Sequence, residues 1–352
     1  MRKTSLVKTV RALFGPLLIV TSLLSCGSVD SKSNIETSGK ENIDRIVVYS
    51  GRSEKLVAEL FAQFSQQTSI ELEVRYADSG ELAALLITEG DASPADIYFS
   101  QDAGALGAVE EAGLLSALPT EITEIVDGKF RSTEGRWIAT SGRARVVVYN
   151  PDLVSKVPST IDDILDPMWK GKIGFAPTNA SWQSFVTALR VIRGEVKAEQ
   201  WLTAFKANEP AAYEKNSVVL DAVNSGKVSL GLVNHYYLYE KIAAEGADAV
   251  VAKNHFFTNG DVGGLINIAG IGVLESSSNK DAANQLVKFL LSAQGQQYFG
   301  QKTFEYPMAL GVAPFSSLPT LEELNPPAID LSNLKSLDET QELLAKTGLL
   351  TK

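Results

Sequence analysis

The chain has one cysteine and two histidines in 352 residues, and it has no excess of basic charge. A single thiol cannot close an internal disulfide, and without a second cysteine there is no thiolate metal cluster. That cysteine, Cys26, stands near the N-terminus, so the body of the chain offers no thiol nucleophile. His235 and His255 are the only imidazoles, and neither Gly142-Arg143 nor Gly263-Gly264 matches a phosphate-cradling loop. A carboxylate pair among the 42 acidic residues is conceivable, but no spacing singles one out. The reading is therefore not an enzyme. The formal net charge of −10, without long charged blocks, excludes the basic footprint that nucleic-acid binding requires. It says nothing about the sign of charge in a local cleft.

What is present begins with an address. Arg2, Lys3, Lys8 and Arg11 form a basic region, and Ala12 to Leu24 form an apolar core too short for a transmembrane helix. Leu23-Leu24-Ser25-Cys26-Gly27 follows, a pattern that resembles the bacterial lipoprotein signal, with cleavage before Cys26 and a lipid on its sulfur. Residues 27–44 are polar and aperiodic, as a flexible tether is. These features predict an exported protein anchored to a membrane, facing the periplasm or the cell exterior.

The remaining length, with 45% hydrophobic content, suits two domains or one bilobal unit. Ile46 to Tyr49, Ile70 to Tyr76 and Pro94 to Phe99 read as short strands, and helices of ten residues or so lie between them, one of them capped by Ser79 and another opened by Asp102. That alternation predicts an α/β fold with a mostly parallel sheet. Ser141 to Pro151 is a long β-rich run in mid-chain. A second series follows: a strand at Lys172 to Phe175, helices at 182–193, 198–207 and 217–224, and a strand at Val228 to Val233. Gly263 to Val273 is again long and apolar, Asp281 to Phe299 reads as one amphipathic helix, and a Pro-rich wrap with a short helix ends the chain. The expected organisation is lobe 1 at 45–140 plus 272–352, lobe 2 at 141–271, and two crossing strands as a hinge around a ligand cleft.

The stretch that draws this together is Leu230-Gly231-Leu232-Val233-Asn234-His235-Tyr236-Tyr237. A buried strand stops at Asn234, read as a helix N-cap, and two adjacent tyrosines open the next helix at a corner of the kind where α/β proteins bind ligands. Neighbouring helical side chains diverge by about 100°, so both cannot enter one core face, although their hydroxyls can converge on an object beyond the helix start. Tyrosines half-buried with wet hydroxyls are the plainer reading. Other inward corners are Ser50-Gly51-Arg52-Ser53, Ser100-Gln101-Asp102, Thr178-Asn179-Ala180-Ser181 and Asn216-Ser217, rich in anion-binding groups at helix N-termini, with Arg52 or Arg143 to add charge.

Val47 to Glu54, Pro94 to Phe99, the Ala112 to Leu115 turn, Ala176-Pro177-Thr178 and Asn234 to Tyr237 occur in an order that resembles the ferric-iron-binding periplasmic proteins of ABC transporters, over residues 45 to 315. The resemblance implies a two-lobed periplasmic-binding-protein fold (type II-like), and a monomer that delivers Fe3+ to an ABC permease and its ATPase. It assigns Tyr236 and Tyr237 as phenolate ligands. It also implies a carbonate or phosphate held by groups such as Thr178, Asn179, Ser181, Asn216, Asn234 and Arg143, with Arg52, Ser53 and Gln101 at the facing corners. This chain departs from the pattern: some members have a histidine where Ser53 stands and a glutamate near Gln101, and others a third tyrosine near Asn179 to Ser181. Tyr49 and Tyr239 are the conceivable substitutes, and packing is the expected role of His235. The competing cargo is an organophosphate or sugar phosphate, which leaves the tyrosines unexplained, or a polyamine, which would need Asp102 and Glu54.

Overall fold

The computed structural model describes residues 45–315 and 317–350, so Cys26, the leader and the tether lie outside the described residues. The first series is β1 (Arg45–Ser50), α1 (Glu54–Thr68), β2 (Glu71–Tyr76), α2 (Ser79–Glu89), β3 (Ile97–Ser100) and α3 (Ala103–Glu111), followed by the long β4 (Trp137–Tyr149). The second comprises β5 (Ile173–Phe175), α4 (Ala180–Arg193), α5 (Glu195–Ala207), β6 (Ala211–Ala212), α6 (Asn216–Asn224), β7 (Leu230–Asn234), α7 (Tyr236–Glu245) and β8 (Lys253–Phe256). The chain then returns through β9 (Ile266–Val273), α8 (Lys280–Leu291), α9 (Ala293–Lys302), β10 (Tyr306–Pro307) and α10 (Leu337–Lys346).

Strands joined by helices pair in parallel, because a helical crossover returns the chain to the same end: β1 with β2 and β3, and β5 with β6 and β7. The centre of the sheet differs from the mostly parallel expectation. In the order β2-β1-β3-β9-β4-β7-β5-β6, both long strands are antiparallel to their neighbours, since a strand that crosses and a strand that returns run in opposite senses. β4 changes partners within its own length. Through Ala144 it is paired with β9, and from Arg145 with β7. β9 and β7 lie on opposite edges, so each edge changes partner: β9 gives way to β8 at Val146 to Tyr149 on one, and β10 at Ser141 and Gly142 gives way to β7 on the other. Two lobes thus share one continuous strand, buried at every residue but Tyr149.

Local chemistry explains several boundaries. Asp78, not Ser79, caps α2 by accepting the Gly80 N–H, while Asp102 caps α3 through Ala105 as its sequence position suggests. Asn179 caps α4 through Ser181. Asn234 is not a cap: it is the last residue of β7, and His235 precedes α7 in helical conformation. The helix expected over 281–299 is two helices, because Ser292 turns extended and its hydroxyl accepts the Gly295 N–H. In the second lobe Phe175, Trp182, Phe185, Trp201 and Phe205 form one aromatic cluster, with Trp201 and Phe205 stacked at 5.3 Å. Each such side chain removed from water contributes about 1.5–3 kcal/mol.

The end of the chain is a strap. Leu331 and Leu334 are buried where the backbone crosses α3, so close that a Cβ on Gly104 would sit 2.5 Å from the Leu334 carbonyl and one on Gly107 2.7 Å from that of Ser332. The chain then passes to the other lobe. There α10 lies on α4, with the Thr187 and Thr340 hydroxyls 2.7 Å apart and Arg190 donating to the Ser336 carbonyl at 2.8 Å.

Candidate functional site

At the second-lobe corner, His235 is fully buried and both ring nitrogens are occupied. Nδ1 accepts the Ala144 N–H at 3.1 Å, so Nε2 carries the proton and donates to the Phe304 carbonyl at 2.8 Å. Burial pushes its pKa down to about 4, which keeps it neutral. With no free lone pair, it packs rather than ligates. Tyr236 and Tyr237 follow. Their rings do not diverge but stack, with centroids 4.3 Å apart and planes at 28°. Burial first, and then the neighbouring Tyr237 phenol, push the Tyr236 pKa well above that of an ordinary phenol, with Arg143 pulling against them. The two suggested substitutes are elsewhere. Tyr49 donates to Glu89 at 3.2 Å, and Tyr239 packs on Phe304 and Phe315.

At the heads of α4 and α6 a polar corner brings three predicted residues together. Asn179 Oδ1 accepts from the Ser181 hydroxyl at 2.7 Å and from Asn216 Nδ2 at 3.2 Å, and Asn216 Nδ2 also reaches Ser181 Oγ at 3.1 Å. Asn216 Oδ1 and Asn234 Oδ1 are buried without a partner. Sequence reading missed the residue that underpins this corner. Arg145 is 3% exposed, donates through Nη1 to the Ser181 carbonyl at 2.9 Å, and lies 5.1 Å over the Phe185 ring. Its Nη2 is unpartnered, and burial lowers its pKa to about 9. The available signal was Arg143 and Arg145 two apart in an apolar strand, where alternate residues share a face. Thr178 stands exposed at the same corner.

The first-lobe corner is built differently. Arg52 is fully buried and forms a forked pair with Glu305, at 2.9 and 2.8 Å, while Nη1 also donates to Gln101 Oε1 at 2.8 Å. Both terminal nitrogens are spent on the protein and only the buried Nε is left unpartnered, so Arg52 offers no charge to the cleft in the way its sequence position suggested. Burial alone would raise the pKa of Glu305, but Arg52 and then Arg143 hold it below the usual carboxylate value. Glu305 was also missed, because it lies between Phe304 and Tyr306 in a segment without periodic pattern. Arg143 donates to the carbonyls of Gln101 and of Ile268, the latter at 2.9 Å, and its Nε stands 4.0 Å from Glu305. Ser53 is exposed at the start of α1 and makes no capping bond.

A cleft of about 750 Å3 is lined by Gly51 and Gln101 from one lobe, Thr178 and Gln183 from the other, and Leu337 and Gln341 of the strap; Tyr236, Tyr237, Asn179, Ser181 and Asn216 are not among the residues that line it. Gly51 has no room for a side chain, since a Cβ would fall 2.0 Å from Ser79 Oγ. That contact matters because Ser79 Oγ also accepts the Gln101 N–H at 2.9 Å and sets that corner. Among the described residues, no group of three or more His, Cys, Asp or Glu side chains could hold a metal ion. No helix among them is long and apolar enough to cross a membrane.

The family model described as bacterial extracellular solute-binding protein matches residues 50–297. The Fe(3+)-binding periplasmic protein of Serratia marcescens is 34% identical over 308 residues, covering 87% of this chain and 90% of that one. Among solved structures, iron-bound HitA from Pseudomonas aeruginosa superposes with a TM-score of 0.80 at 32% identity, covering 87% of this chain and all of the other. FutA from Trichodesmium, in complex with iron and citrate, gives a TM-score of 0.76 at 28% identity, covering 87% of this chain and 99% of the other.

Proposed function

The chain belongs to the bacterial extracellular solute-binding protein family, binding proteins rather than enzymes, and from that premise we propose that it captures ferric iron in the interlobe cleft and delivers it to an ABC permease and its ATPase. The observation that carries the reading is the stacked Tyr236–Tyr237 pair at the head of α7, beside Arg143. In this reading both phenols ligate the ion as phenolates. Burial disfavours a phenolate strongly when the site is empty. A trivalent cation supplies the charge that reverses the balance and deprotonates its own ligands, whereas a weakly charged ion does not. Hard oxygen donors suit a hard ion. The names of the relatives from Serratia and Pseudomonas, both tied to iron, support the same cargo.

A carbonate or phosphate completes the coordination, held at the second-lobe corner by Thr178, Asn179, Ser181, Asn216 and Asn234, with Arg143 supplying charge and Ser53 and Gln101 facing it. Arg52 acts indirectly, through Gln101. Lobe 1 is taken as 45–140 plus 272–352 and lobe 2 as 141–271, with the last helix of lobe 1's segment, α10, crossing to rest on α4 of lobe 2. Cys26 carries a lipid that ties the monomer to a membrane through residues 27–44.

The test is a visible absorption spectrum of protein loaded with ferric citrate and desalted. Phenolate-to-iron charge transfer colours the wild type, and the Tyr236→Phe, Tyr237→Phe protein is colourless and retains at least roughly a hundredfold less iron, as the loss of both charged ligands requires. Stoichiometric iron in the double variant would remove the site assignment. A colourless, iron-free wild type would turn attention to phosphorylated small molecules at the Asn179–Ser181–Asn216 corner.

A further inference from the structure

On the first-lobe face of the cleft Gln101 presents a neutral amide whose orientation is set by one hydrogen bond. A guanidinium has only donors, so the Gln101 atom 2.8 Å from Arg52 Nη1 must be the amide oxygen. Arg52 cannot turn away, because both of its terminal nitrogens are forked onto Glu305 in a fully buried pair. The Gln101 main chain is fixed as well: its N–H donates to Ser79 Oγ at 2.9 Å and its carbonyl accepts from Arg143. Flipping the amide would set its NH2 against a guanidinium and forfeit a charge-assisted bond. The NH2 group therefore points away from Arg52, on a half-buried residue that lines the cleft, and takes no partner among the described residues.

An amide NH2 cannot ligate a cation, but it donates well to an oxyanion. We propose that Gln101 is a specificity-determining donor to the anion that accompanies the captured ion, with Arg52 and Glu305 as the positioning residues that hold it in this orientation. The inference rests on the ferric reading given above. It makes the first lobe a reader of the anion, while the second lobe supplies the metal ligands. Ser53, neutral and exposed on the same face, is consistent with that division.

The test uses the full chain loaded with ferric chloride in the presence of 32P-phosphate or, separately, 14C-bicarbonate, then desalted and counted for label and iron. Wild type retains labelled anion with its iron. Gln101→Met, at a position exposed enough to tolerate it, retains roughly tenfold less label, as expected for one lost hydrogen bond to a charged group, and yields its iron faster to a competing chelator. Gln101→Glu keeps iron, displaces the label and shifts the visible band, because a carboxylate now faces the ion. Arg52→Lys loses label while keeping the phenolate band, which a merely unfolded protein would not do. The proposal is overturned if Gln101→Met holds label and iron as wild type does, or if wild type binds iron without either label. Wild type that takes up no iron at all sinks the ferric reading itself, a separate result.

Discussion

On one side of the cleft Arg52 and Glu305 balance each other's charge and hold Gln101, leaving only the Arg52 Nε over; on the other, Asn216, Asn234 and Arg145 each keep a buried polar atom with no partner. Burying a polar atom unpaired costs about 1–3 kcal/mol, so both corners hold back stability that a ligand can recover. In the first, however, the unpartnered Arg52 Nε and Arg143 Nε belong to guanidiniums that Glu305 already balances, and in the second nothing balances Arg145. The difference suggests an order of events. Cargo seats first where an unbalanced guanidinium and unpaired amides await it, and the charge-paired first-lobe corner then closes on a partly formed complex.

The contrast breaks most visibly at Glu305. Glu305→Ala leaves Arg52 buried without its counter-charge and Arg143 without its neighbour, so ligand-free protein should lose about 3–5 kcal/mol in urea unfolding. A loss below about 1 kcal/mol would mean that the first lobe is not internally paired as described. Acid probes the same pair more gently. Because the folded-state carboxyl titrates below its unfolded value of about 4.3, its stabilisation is complete above that value and is lost as pH falls through the folded value. Urea midpoints of wild type should therefore fall more steeply than those of Glu305→Gln below about pH 4.3. The smallest effect on stability belongs to the second lobe. Asn216→Ala removes two neutral hydrogen bonds but also an unpartnered oxygen, so ligand-free stability should change by about 1 kcal/mol or less. Retention of labelled anion should fall by a larger factor, and equal losses in the two measurements would erase the proposed division of labour.

Much of the architecture was legible because it follows from periodicity. The βα units, the long strand near residue 141 and the strand–helix corner at Asn234 to Tyr237 all announce themselves locally. Helix boundaries slipped where a side chain one residue away did the capping, as Asp78 does for α2. The fused reading of 281–299 failed because one Ser292 hydroxyl outweighs an unbroken amphipathic stripe. Of the site, the corners were readable and their wiring was not. Glu305 and Arg52 are 253 residues apart, and nothing in either neighbourhood signals that they meet. The stacking of the tyrosines escaped the angular argument because helical side chains lean back toward the N-terminus, where two rings can lie face to face.

The strand that joins the lobes has one more implication. Mobile parts of proteins are usually their least protected, yet here the joint is β4, with ladders on both edges and scarcely any exposed residue. Lobe motion must then proceed by twisting an intact ribbon near Ala144 and Arg145, without opening its hydrogen bonds. In deuterium exchange, amides from Trp137 to Val148 should be among the slowest in the molecule, so that the part which bends is also among the last to melt.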